Sequence, residues 1–204
     1  MPSNSRDLSN KYASHLNNLD YTRNKMEKLY NRGDIVSRDI NLVYEGLYLD
    51  VVAYLEGLIE KLFIGLLSGS IIHISKVVPK VKFNSYHTAR DVVLGGKKYL
   101  QWFPYGYTEE RANAFFRNGF PFSSFERTHK KSIEEILYIR NAIAHKSKYS
   151  MTKFELEVIG SQKLMPRERT PAGYLRSVFR SHPPQTRYEE LAGRIAGLVN
   201  KLCS

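Results

Sequence analysis

Apolar residues recur along this chain at helical spacing, and the clearest run lies between Ile40 and Phe63. At 100° per residue, Ile40, Val43, Tyr44, Leu47, Val51, Tyr54, Leu55, Leu58 and Leu62 share one broad stripe. Tyr48, Val52, Ile59 and Phe63 form a second strip beside it, with Glu45, Glu56 and Glu60 opposite. The pattern predicts a central helix from a cap at Asp34 to about Leu67, ended by Ser68-Gly69-Ser70. A more polar helix is expected before it, from Ser9 to about Tyr30, closed by Asn31-Arg32-Gly33.

The middle of the chain is less regular. Residues 71–86 hold β-branched runs and Pro79, which suit either short strands or a loop over the helices. A short helix is expected within 88–102, with Gly95-Gly96 as a soft break, and Pro104 to Tyr107 reads as a turn. Thr108, followed by Glu109 and Glu110, reads as the cap of a helix that stops at Asn118-Gly119. Ser123 or Ser124 then caps a long helix through His145. Beyond Ser150, Phe154–Gly160 alternates weakly and suits a short strand. Residues 166–171 read as a basic loop. Thr170-Pro171 opens a helix that Ser181-His182-Pro183-Pro184 breaks. A last amphipathic helix spans Tyr188 to Leu202, with Leu191, Ile195, Leu198, Val199 and Leu202 inward. The expected fold is all-α: a bundle of four to five main helices with an irregular insertion. Residues 1–150 form the bundle, and 151–204 form an extra C-terminal helical unit packed on it as part of one domain.

Charge narrows the partners. The 204 residues carry 31 Lys and Arg against 20 Asp and Glu, a net +11, with 14 Tyr and ten Phe. That excess favours a polyanion, and aromatics among cations suit stacking on unpaired bases. The single Cys excludes a disulfide within the chain. The histidines share no ligand spacing, so no metal site and no cofactor is expected. The N-terminal residues lack the apolar core of a signal peptide, and the greasiest run is too short for a bilayer. A soluble, cytoplasmic protein without membrane contact is the expectation.

Candidate chemistry concentrates on Ile133 to Lys146. On a helical wheel, Ile133, Ile136, Leu137 and Ala144 share a stripe with Arg140 near its centre. A guanidinium there must pair with a carboxylate or face something other than core. Asn141 and His145, four residues apart, share a face, and Arg140 is long enough to reach it. The set suits phosphate chemistry. Arg grips phosphate oxygens, His moves a proton near neutral pH, and the RNA 2′-hydroxyl supplies the nucleophile. Spacing alone says little in so basic a chain: Arg176 and His182 come within one residue of it, in a helix-ending context that marks them as a decoy.

Leu137-Tyr-Ile-Arg-Asn-Ala-Ile-Ala-His145 resembles the signature of the HEPN superfamily: an Arg, a polar residue, and a His after four to six intervening positions, late in a helical bundle. The helix around Tyr44 to Phe63 is similar to the second bundle helix of that family. The resemblance covers roughly residues 10–150 and leaves the C-terminal unit aside. It implies a homodimer through the motif helix, with two motifs facing across a cleft. It implies metal-independent RNA endonuclease activity that leaves a 2′,3′-cyclic phosphate and a 5′-hydroxyl. Arg140 would bind the scissile phosphate, His145 would act as general base or acid, and Asn141 would orient the site. Toxin or phage-defence branches of the family carry extra elements of this kind. Some toxin members place a Tyr two residues after the His; here position 147 is Ser, and Tyr149 is the nearest tyrosine. Lys146, Lys148 and Tyr149 are the expected RNA-binding residues beside the motif. Arg167, Arg169, Arg176, Arg180 and Arg187 offer a diffuse basic stretch for RNA or for an acidic, antitoxin-like regulatory protein. The alternative reading is a non-catalytic module of the same kind that binds RNA, nucleotide or a protein partner.

Overall fold

Helical periodicity is realised almost throughout the computed structural model, which describes residues 2–204. The described residues form eight α-helices: α1 (Ser5–Arg32), α2 (Ser37–Ser68), α3 (Tyr86–Leu94), α4 (Gly106–Phe115), α5 (Arg127–His145), α6 (Lys148–Lys153), α7 (Pro171–Arg176) and α8 (Arg187–Cys203). The strands are minor. β1 (Ser3–Asn4) pairs in parallel with β2 (Ile71–Ile72), and β3 (Val178–Ser181) pairs antiparallel with β4 (Pro184–Thr186). The fold is all-α. No helix among the described residues is long and apolar enough to cross a membrane.

The stripe that predicts α2 is its buried surface. Ile40, Tyr44, Leu47, Val51, Leu55, Leu58 and Leu62 are buried, as is the second strip from Tyr48 to Phe63; only Val43 and Tyr54 are half-buried. The start falls three residues beyond the expected one. Asp34 lies in the turn made by Gly33 and pairs with Arg32 at 2.8 Å, while the Asp39 carboxylate accepts from the Val36 N–H at 3.0 Å. Asp39 therefore supplies the capping acceptor expected of Asp34.

The chain divides into two compact units that interleave in sequence. One holds the residues up to Ala13, then 54–131 and 196–204; the other holds 14–53 and 132–195. This division does not fall at residue 150. Helices α1, α2, α5 and α8 each contribute residues to both units, so no cut at a single loop separates them.

The core of the first unit centres on Phe63. Its ring lies 5.0–6.0 Å from those of Trp102, Phe115, Phe116 and Phe122. Offset and edge-on geometries of this kind add about 1 kcal/mol per pair beyond area burial. Gly65 sits in mid-helix because a Cβ there would collide with the Ile71 side chain. Ser85 caps α3 by accepting from the Thr88 N–H at 3.0 Å, and Gly95 ends it in the left-handed region. Two expected caps are corrected. Thr108 is buried in the first turn of α4, its hydroxyl donating to the Trp102 carbonyl, so α4 begins at Gly106. Ser123 and Ser124 lie in a 3-10 turn. Ser123 donates to the Asn118 carbonyl, and α5 begins only at Arg127.

In the second unit, Tyr44 packs edge-on against Tyr188 at 5.6 Å, and the Tyr48 hydroxyl donates to the Ile136 carbonyl at 3.2 Å. Arg23, buried beside Tyr44, is held by Asp20 at 2.8 Å and Glu189 at 2.6 Å. Residues Phe154–Ile159 form a π-helical turn, not the expected strand. Phe154, Val158 and Ile159 are buried while Leu156 is exposed, so the weak alternation reflects one wide turn. The expected helix start at Thr170-Pro171 is present, with Thr170 accepting from the Gly173 N–H at 3.1 Å. The break after it is the β3–β4 hairpin.

Candidate functional site

Helix α5 places the motif. Ile133, Ile136, Ile139, Ala142 and Ile143 are its buried residues, at the three- and four-residue steps that set a helix against a core. Arg140 is therefore not at the centre of the buried line. Leu137, Tyr138, Arg140 and Asn141 are half-buried, and Ala144 and His145 are exposed. The wheel treated Leu137 and Ala144 as core because they are apolar; packing shifts the buried line onto Ile139 and Ile143.

The three motif side chains converge. The Arg140 Nη1 donates to the Asn141 Oδ1 at 3.0 Å and lies 3.4 Å from the His145 Nε2. Guanidinium has no acceptor, so a hydrogen bond here needs the lone pair of a neutral imidazole on Nε2, with the proton on Nδ1. Asn141 keeps its amide NH₂ as an outward donor. The chain turns immediately after His145. Lys146 takes a left-handed conformation with φ of 49°, and Ser147 caps α6 in a reciprocal pair with Ser150. The motif thus ends a helix on a defined corner.

Arg140 stands apart from most of the other shielded arginines. Arg23, Arg90, Arg169, Arg176 and Arg194 each face a carboxylate. Arg111, Arg140 and Arg187 are half-buried with no carboxylate at ion-pair distance among the described residues. Arg187 is satisfied by the Ser177 hydroxyl and the Tyr174 ring. Arg140 has only an amide and an imidazole, which leaves it able to take an anion.

The expected RNA contacts are differently placed. Lys146 is engaged by Glu45 at 3.1 Å. Lys148 and Tyr149 stand exposed on the first turn of α6, Tyr149 at 74%. In the basic stretch, Arg169 pairs with Glu155 and Arg176 with Glu27, leaving Arg167 and Arg180 exposed. Arg176 also lies over the Tyr30 ring at 4.6 Å, and His182 sits in the hairpin turn. The decoy pair Arg176 and His182 is thus built into packing at its arginine end. Among the described residues no group of three or more His, Cys, Asp or Glu is placed to hold a metal ion.

Arg111, which no sequence motif marks, also lacks a carboxylate at ion-pair distance among the described residues. Arg111 of α4 lines a cavity of about 920 Å³ together with Lys97, Lys98, Tyr99 and Tyr107. The run Lys97-Lys98-Tyr99 was its signal in the sequence.

No protein-family model, curated protein or solved structure matches the chain.

Proposed function

We propose that this protein is a metal-independent RNA endonuclease of the HEPN kind, working in the cytoplasm as a homodimer through α5. A toxin–antitoxin or phage-defence setting, with a regulatory partner protein, fits the same reading. The observation that carries it is the convergence of Arg140, Asn141 and His145 on a half-exposed rim, with no carboxylate at ion-pair distance from the guanidinium among the described residues. A guanidinium that sits beside an imidazole gains by taking phosphate oxygens instead, because the charge-assisted fork is the stronger bond. That exchange releases the His145 lone pair.

The chemistry then follows. His145 removes the proton of the RNA 2′-hydroxyl, and the 2′-oxygen forms a bond to phosphorus. The bond from phosphorus to the 5′-oxygen breaks, and that oxygen takes a proton from the imidazolium of the second copy. Arg140 stabilises the charge on the phosphoryl oxygens, and Asn141 holds the guanidinium in line. The products are a 2′,3′-cyclic phosphate and a 5′-hydroxyl. Lys148 and Tyr149 supply backbone neutralisation and a stacking ring, and Lys146 joins them by exchanging Glu45 for phosphate. Incubation of labelled RNA in excess EDTA tests the reading: cleavage by the wild type and about 10²–10⁴-fold slower cleavage by His145→Ala is the expected result. Equal cleavage by the variant overturns it.

A further inference from the structure

Arg111 lies with its guanidinium carbon 4.7 Å from the centre of the Trp102 ring, and its Nη1 donates to the Gln101 carbonyl at 3.3 Å. No carboxylate is at ion-pair distance among the described residues, and burial lowers its pKa from the ordinary arginine value. Glu110 and Glu60 act on this half-buried cation only from beyond ion-pair distance, so its guanidinium keeps donors for an anion. Lys97 and Lys98, also in the cavity wall, are exposed and lack ion-pair partners among the described residues. Against these three cations the lining sets one carboxylate, Glu110. Two tyrosine rings complete the wall, Tyr99 at 70% exposure and Tyr107 at 48%. Exposed rings at that level bury apolar surface only when something covers them. The volume, about 920 Å³, lies within the range of roughly 300–1,000 Å³ seen for small-molecule sites.

We propose that this cavity between α3 and α4 is a nucleotide site, with the phosphate on Arg111, Lys97 and Lys98 and the base stacked on Tyr99 and Tyr107. Cations take the phosphate, flat rings take either face of any base, and Glu110 offers an acceptor to a base amino group. The ligand comes either as a free mononucleotide or as one link of a single-stranded RNA. The site uses none of Arg140, Asn141 or His145, so it stands or falls independently of the cleavage chemistry.

Trp102 is the only tryptophan in the chain and lies directly under Arg111, so its emission reports on the site. The test uses the full chain carrying His145→Ala, in EDTA, so that RNA persists. AMP, UMP, inorganic phosphate and a short labelled single-stranded RNA are titrated in turn. Saturable changes in Trp102 emission are expected with the mononucleotides or with the RNA, and whichever responds identifies the source. Phosphate alone is expected to bind about tenfold or more weakly, because it forfeits stacking. Tyr99→Ala and Arg111→Gln are each expected to cost about tenfold or more in affinity. The exposed position of Tyr99 makes its variant fold normally even if the Arg111 variant does not. No saturable response to any nucleotide, phosphate binding as tightly as nucleotide, or unchanged affinity in Tyr99→Ala overturns the proposal.

Discussion

The Arg140 Nη1 lies 3.4 Å from the His145 Nε2, and among the described residues no carboxylate is at ion-pair distance from the guanidinium. In the proposed mechanism this contact is a poised one, since the cation rests on the group assigned as base. Replacing Arg140 therefore removes no ion pair among the described residues, and on the proposed reading it removes the phosphate contact. Arg140→Ala is expected to lower RNA cleavage by about 10²–10³-fold, the usual cost of one donor to a developing anion. Arg140→Lys is expected to recover little, since an ammonium lacks the planar fork. Thermal unfolding of both variants is expected to stay within about 0.5 kcal/mol of wild type, as for other surface changes. A large loss of stability would make Arg140 a packing residue.

The exposed end of α5 is the place where two copies are expected to meet. Ala144 is exposed with no core role, and the half-buried Leu137 lies two turns before it on the same side. Sedimentation is expected to give twice the 23.6 kDa chain mass. Ala144→Glu is expected to yield monomer and to abolish cleavage together, with unfolding unchanged. A fully active monomer would contradict the shared site.

Alkaline pH is expected to weaken the fold. Burial pushes the Tyr44 hydroxyl from its ordinary 10.0 up to about 12, and the Cys203 thiol from 9.0 up to about 12. Burial also raises Tyr188. Between about pH 9 and pH 12 the unfolded chain gives up protons that the native chain keeps, so it binds fewer and stability falls with rising pH. Below about pH 9 these groups contribute no slope. Urea midpoints across that range check the sign, and Tyr44→Phe is expected to flatten the decline. A midpoint that rises with pH would contradict it.

Much of this architecture was legible in the chain because long helices write a 3.6-residue period over many turns. The α2 stripe and the α8 face needed no tertiary information. Short elements carry too few periods. Phe154–Ile159 shows only one turn, which a π-helix and a strand fit equally, and the β3–β4 hairpin lies across prolines that read only as a break. The expected caps at Thr108 and Ser123 differ because both hydroxyls donate to carbonyls of the preceding turn, at Trp102 and Asn118, instead of accepting from helix N–H groups. The contact among Arg140, Asn141 and His145 is legible in the sequence because one helix brings them together. Arg111 was missed because its contact with Trp102 spans nine positions and a loop, which no local period encodes.

The most direct measurement of the central claim is the end chemistry of RNA incubated with the protein in excess EDTA. Wild type is expected to leave 2′,3′-cyclic phosphate and 5′-hydroxyl ends, and His145→Ala to cleave about 10²–10⁴-fold more slowly, the range for a lost general base. Ends bearing a 5′-phosphate, or wild-type rates from the His145 variant, would contradict the assignment of Arg140 and His145 as the reacting pair.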